Sequence, residues 1–163
     1  MKQPTTSPSK RHAAVEEPVV LRCDGRVVKG YLESPPWTSA QESERSQAKF
    51  AGDLFSIRAL ESDAVEEIPA SEVKAVFFVS DLEGKPEHLN LRFHALEPVL
   101  PGVWVQVQFR DGEVIEGIVE NSIRFLVEPG FFLRPTDPIS NNKLIYVMKH
   151  CLAEYHVLGL TKH

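Results

Sequence analysis

The stretch DGRVVKGYLE at residues 24–33 recurs as DGEVIEGIVE at residues 111–120, with Asp, Gly, Val, Gly and Glu in register and the other apolar positions kept apolar. Self-similarity over such a distance is the mark of one supersecondary unit built twice. In each copy an alternating run leads into the Asp-Gly, VVLRC in the first and VWVQVQFR in the second. Asp-Gly between two alternating runs predicts a hairpin with a type I′ turn, whose central residues take positive φ. Gly30 and Gly117 each stand five residues past the turn glycine, inside the return strand. A glycine there marks a sharp bend or the close approach of another backbone.

Both copies continue alike. After Glu33 come a long polar insert, LFSIRAL and VEEIPASEVKAVFFV; after Glu120 come FLVEPGFFLRP, KLIYVMKH and CLAEYHVLGL. No segment carries a clear 3.6-residue stripe, so the expected fold is all-β, mainly antiparallel and with little helix. The expected organisation is a disordered tail over 1–17, rich in Ser, Thr, Pro and Lys, then a first five-stranded barrel over 18–80. A polar insert at 34–50, read as loop rather than helix, interrupts that unit. A linking segment over 81–102 carries the alternating strand HLNLRFHAL, and a second barrel covers 103–163. VKAVFFV, residues 73–79, is apolar on both alternating faces. One face should line a barrel and the other a contact with the second barrel or another subunit.

Composition narrows the function classes. The chain has 163 residues, 42% hydrophobic content and 18 basic against 23 acidic residues, a formal net charge of -5. That is enough apolar material for a core and gives no pull toward nucleic acid. No apolar run reaches the roughly 20 residues of a bilayer span, and the N-terminus lacks an apolar signal centre. A cytoplasmic protein with no membrane and no DNA partner is expected. Cys23 and Cys151 are too few and too far apart for a disulfide framework. His150 and His156, read on one strand face, would stand about 20 Å apart with Cys151 pointing the other way, which excludes one tetrahedral metal site. No phosphate loop, nucleophile elbow or paired-histidine motif is present, so neither an enzyme nor a cofactor is expected.

The repeat and its element order resemble Sm-like and SH3-like small barrels, in which a bent five-stranded antiparallel sheet closes on itself. In the second unit, DGEVIEGIVE with IYVMKHCLAEYHVL is similar to the two halves of the signature of the bacterial Sm-like RNA chaperone family, where a Lys-His pair precedes the last strand. The pair here is Lys149 and His150, and the resemblance implies RNA contacts there, with Tyr146 available for stacking. The first unit has IPASEV where the second has MKHCLA, and so lacks the pair. Separately, GFFLRPTDPISNN, residues 130–142, resembles a signature of uncharacterised bacterial domains.

The expected function is therefore non-enzymatic: an interaction or scaffold protein that binds a protein partner, or itself, through barrel edges and the 134–142 loop. That loop exceeds the two to five residues usual for a hairpin, and Arg134, Asp137, Ser140, Asn141 and Asn142 are its candidate contacts. Pro135 and Pro138 stiffen it, Asp137 suits an Asx turn, and Asn141 and Asn142 tolerate positive φ. Phe77 and Phe78 are the candidate interface, and burial of their surplus face by the second unit is the competing expectation. RNA binding through Tyr146, Lys149 and His150 is the alternative function. A second alternative is cyclic-dinucleotide signalling, since Arg22 and Arg26 resemble the Arg-x-x-x-Arg of PilZ barrels, although the companion motif of that family is missing.

Overall fold

The computed structural model describes residues 17–23, 25–34, 36–38, 49–82, 102–137 and 139–161. Residues 1–16 of the expected tail, most of the polar insert and the linking strand HLNLRFHAL lie outside these residues, while Glu17, the tail's expected last residue, already belongs to the first strand. Among the described residues there are twelve strands, and the first unit holds seven of them: β1 (Glu17–Cys23), β2 (Arg26–Ser34), β3 (Trp37–Thr38), β4 (Lys49–Phe50), β5 (Leu54–Ala59), β6 (Val65–Pro69) and β7 (Val73–Val79). The second unit holds β8 (Gly102–Phe109), β9 (Val114–Val119), β10 (Gly130–Pro135), β11 (Asn142–Met148) and β12 (Leu152–Thr161). A helical turn, α1 (Arg124–Val127), stands between β9 and β10.

Ten strands form one antiparallel sheet in the order β12-β8-β9-β10-β11-β7-β1-β2-β5-β6. With the separate β3–β4 ladder set aside, each half has five strands in one pattern: its last strand pairs with its first, followed outward by its second, third and fourth. In each half a 3-10 turn separates the fourth strand from the fifth, Ala70–Glu72 in the first and Lys149–Cys151 in the second. The sequence repeat is thus a structural repeat. The halves are joined edge to edge, through β7 against β11 with Phe77 opposite Ile145 and Val76 opposite Tyr146.

Alternation along β7 explains the join. Val73, Val76 and Phe78 enter the first core with Val19, Phe55 and Ile57. Ala75, Phe77 and Val79 enter the second core with Val105, Phe131 and Leu133. β7 is apolar on both faces because each face belongs to a different core. β11 does the same in reverse, giving Ile145 and Val147 to the second core and Tyr146 and Met148 to the first. Phe77 and Phe78 are only 2% and 4% exposed, so the candidate interface is corrected: these rings join the two halves of this chain and offer no surface to a partner.

The turn glycines behave as their motif requires, with φ of +70° at Gly25 and +93° at Gly112. The second hairpin is not the expected type I′ turn. Asp111 keeps negative φ, the Gly112 amide donates to the Phe109 carbonyl at 2.9 Å, and the Phe109 amide donates to the Glu113 carbonyl at 2.8 Å. That is a three-residue loop with Gly112 at the bulge, made possible by the additional residue Arg110. Close approach at the strand glycines is direct. A Cβ on Gly30 would lie 2.0 Å from the Arg58 carbonyl oxygen, and one on Gly117 would lie 2.3 Å from the Leu133 side chain and 2.5 Å from the Arg134 carbonyl oxygen.

Trp37 corrects the reading of 34–50 as a polar loop. It is 7% exposed and packs against Phe55, Phe132 and Tyr146, with ring centroids 5.7, 5.3 and 4.7 Å away. The β3–β4 ladder pairs Trp37 with Phe50, so the two ends of the insert are tied beside the first core.

Candidate functional site

A groove of about 510 Å³ opens where the two halves meet. Its floor is apolar, from Val20, Phe77 and Val79, and its rim includes Ser140, Asn141 and Asn142 from the connector between β10 and β11. Basic groups stand on the opposite wall, Arg22 and Arg26 at the β1–β2 hairpin and Lys29 further along β2.

Charge in this groove is largely neutralised within the chain. Lys74, a lone cation on the otherwise apolar β7, has a side chain only 9% exposed; it donates to Asp111 at 2.6 Å and to Glu113. Arg22 donates to both oxygens of Glu113 at 2.8 Å, and its guanidinium lies 4.5 Å from the centre of the Phe77 ring. Lys74 also stands 4.5 Å from the centre of the Phe109 ring. The β8–β9 hairpin of the second unit therefore grips β1 and β7 of the first by two carboxylates on two cations. The hydrogen bond from Lys74 is the main cause that holds the Asp111 carboxyl below its ordinary value, with help from the Glu113 amide. Arg26 pairs with Glu66 at 2.5 Å. Both arginines of the Arg-x-x-x-Arg pattern are thus engaged by carboxylates of this chain.

The 134–142 loop is built largely on its own side chains. Asp137 accepts from the Ile139 amide at 3.0 Å, the expected Asx turn, and Ser140 accepts from the Asn142 amide at 3.1 Å. Asn141 pins the loop to the end of β7: its Oδ1 accepts from the Asp81 amide at 3.1 Å and its Nδ2 donates to the Asp81 carbonyl at 2.9 Å. The expected positive φ is not used, since Asp63 is the one non-glycine with positive φ among the described residues. The asparagine amide extends the β7 ladder by one side chain instead. Of the five candidate contacts, Ser140, Asn141 and Asn142 meet at the groove, Asp137 shapes the turn behind them, and exposed Arg134 stands outside the groove.

Residues of the RNA alternative are dispersed. Tyr146 is 4% exposed within the aromatic cluster of the first core, and burial raises its phenol well above the ordinary value. Its proposed stacking face is therefore corrected to a core contact. Lys149 and His150 belong to a 3-10 turn, not to the strand expected there. Lys149 donates to the Phe125 carbonyl and lies 4.9 Å from that ring's centre, and burial lowers its pKa. His150 Nε2 stands 3.1 Å from the Ala70 carbonyl oxygen, linking the 3-10 turns of the two halves, and its Nδ1 is 3.2 Å from Cys151 Sγ. Among the described residues no group of three or more His, Cys, Asp or Glu is placed to hold a metal ion, and His156 pairs with Glu154 at 2.8 Å. No helix among them is long and apolar enough to cross a membrane.

Sequence reading missed Lys74, Glu113 and Trp37. A single lysine inside VKAVFFV was the available signal, because a charge in a strand apolar on both faces needs a partner.

The fold and groove define an all-β protein made of two copies of one five-stranded unit joined into a single sheet. A model of a family of unknown function (DUF6982) matches residues 15–159, and the chain belongs to that family. No curated protein and no solved structure matches it.

Proposed function

We propose that this protein acts by binding, as a non-enzymatic interaction module that takes an extended segment of a protein partner into the groove between its halves. The observation that carries this reading is the groove itself: exposed Val27 and half-buried Val20 and Leu82 give it apolar surface, both halves wall it, and an unusually built loop rims it. Apolar concavity with a few convergent polar groups is the general form of a recognition site. Ion pairing of Arg22 and Lys74 with Asp111 and Glu113 leaves little net charge for a phosphate backbone, which favours a peptide over RNA.

A photo-reactive residue at Asn142, on the rim, tests this in host cells against the same residue at exposed Glu120, which follows β9 and does not line the groove. Protein adducts from position 142 alone, lost when Val27→Trp fills the groove, are expected. Nuclease-sensitive adducts would transfer the site to RNA, and equal labelling from both positions would remove it.

A further inference from the structure

Each half contributes one sheet edge to the central join and, among the described residues, keeps another without a second neighbouring strand. β7 of the first half pairs with β11 of the second, while β12 and β6 stand at the two ends of the strand order, each with one neighbour. By position in the repeat, β12 is the counterpart of β7 and β6 the counterpart of β11. Even the irregularities recur: β1 shifts register against β7 between Arg22 and Cys23, and β12 shifts against β8 between Leu152 and Glu154. The free ends are thus the same two kinds of strand that the chain already joins at its centre.

Exposed aliphatic side chains gather at those ends. Val65 on β6 is 54% exposed, with Leu54 and Leu60 also exposed on β5 and the turn beside it; on β12, Val157 and Leu160 are 60% and 66% exposed. β7 and β11, the joined counterparts, bury theirs. A free edge with exposed aliphatics is a template for another strand.

We propose that β6 of one copy of this chain pairs antiparallel with β12 of a second copy, head to tail, in the register of the internal join. Counted outward from the 3-10 turns, Val65 corresponds to Leu144 and Val157 to Phe78, and Leu144 and Phe78 are ladder partners. Between copies the same register sets Val65 opposite Val157 and Glu66 opposite His156, pairings of like polarity and of opposite charge when the imidazole is protonated. It also sets Glu154 opposite Ile68, where the internal join has Ala75 opposite Val147. The contact between copies is therefore weaker than the internal one and reversible. Being heterologous, it builds rings or open chains, not a two-fold dimer. The surface is separate from the groove, so groove labelling and edge pairing fail independently.

Sedimentation of the full chain tests the proposal. Species heavier than the 18.3 kDa chain should grow with protein concentration. Val65→Lys and Val157→Lys each block one edge, at positions exposed enough for the chain to fold, as circular dichroism verifies. Each variant alone should be monomeric, and an equimolar mixture should form a dimer and nothing larger, because one working β6 and one working β12 remain. A mixture that stays monomeric, variants that still assemble alone, or a native chain that is monomeric throughout would each overturn the pairing. Hydrogen exchange on the unaltered chain gives a readout free of substitutions: amides of β6 and β12 should gain protection together as concentration rises, and protection of one edge without the other would refute it.

Discussion

Glu113→Gln removes the one carboxylate that Arg22 and Lys74 share. The glutamine keeps one neutral acceptor oxygen where Glu113 offered Arg22 two charged ones at 2.8 Å, and the Lys74 ammonium, with a side chain 9% exposed, is left with Asp111 as its one carboxylate. Taking one partner from a buried charge pair costs about 3–5 kcal/mol, because the remaining charge stays uncompensated. Glu113 and Arg22 keep side-chain exposures of 29% and 37%, so water recovers part of this. An expected loss of about 2–3 kcal/mol follows, or roughly 5–10 °C in Tm at this chain length. Lys74→Met should behave differently. It removes the buried charge while keeping the stem against Phe109; Glu113 retains Arg22, and Asp111, 56% exposed, is solvated. A cost below about 1 kcal/mol is expected. Urea unfolding followed by the fluorescence of Trp37 in the first half and Trp104 in the second gives both numbers. The two halves should unfold together, since the cluster bridges them. The reasoning fails if Lys74→Met costs as much as Glu113→Gln, or if Glu113→Gln lies within about 0.5 kcal/mol of native.

Other expectations concern single positions. Gly30→Ala sets a Cβ 2.0 Å from the Arg58 carbonyl oxygen, backbone that cannot rotate away, and should cost about 3 kcal/mol or more by urea unfolding; Gly117→Ala, which meets in part the flexible end of Leu133, should cost less. Asn141→Ala deletes both side-chain bonds to the Asp81 backbone and should cost about 1–2 kcal/mol, with faster hydrogen exchange at Asp81 as its local signature. The Asp111 carboxyl titrates below its ordinary value of 3.8, so its contribution to stability is complete above that pH and is lost as pH falls through the lower folded value. An acid-unfolding profile of Asp111→Asn should therefore lose part of the native decline below that pH while keeping its shape above it. Phe77→Ala empties a site in the second core beneath the join and should cost about 3–5 kcal/mol.

Much of the architecture was legible in local chemistry. The repeated Asp-Gly and the glycine five residues later placed two hairpins and two points of close backbone approach, because only glycine meets those steric demands. The double apolarity of VKAVFFV announced a strand covered on both faces, without saying what covers the second. Within GFFLRPTDPISNN the alternation of Phe131 and Leu133 against Phe132 and the Asx turn at Asp137 were both readable, since each depends on neighbours in sequence. The role of Asn141 was not, because its partner Asp81 is 60 residues away.

The chain's own sequence therefore determined its class, its duplication and the strands of each copy, all set by periodicity and turn sterics over a few residues. Tertiary structure alone decided how the copies combine. Whether the surplus face of β7 meets solvent, a partner or the core of the second unit depends on pairing between strands far apart in sequence, and no local pattern encodes that choice. The same holds for the ion cluster: Lys74 signals that a partner is needed, but Asp111 and Glu113 look like ordinary surface charges until the β8–β9 hairpin is laid across β7. Pairing over long sequence separation turned three scattered charges into the bridge between two halves.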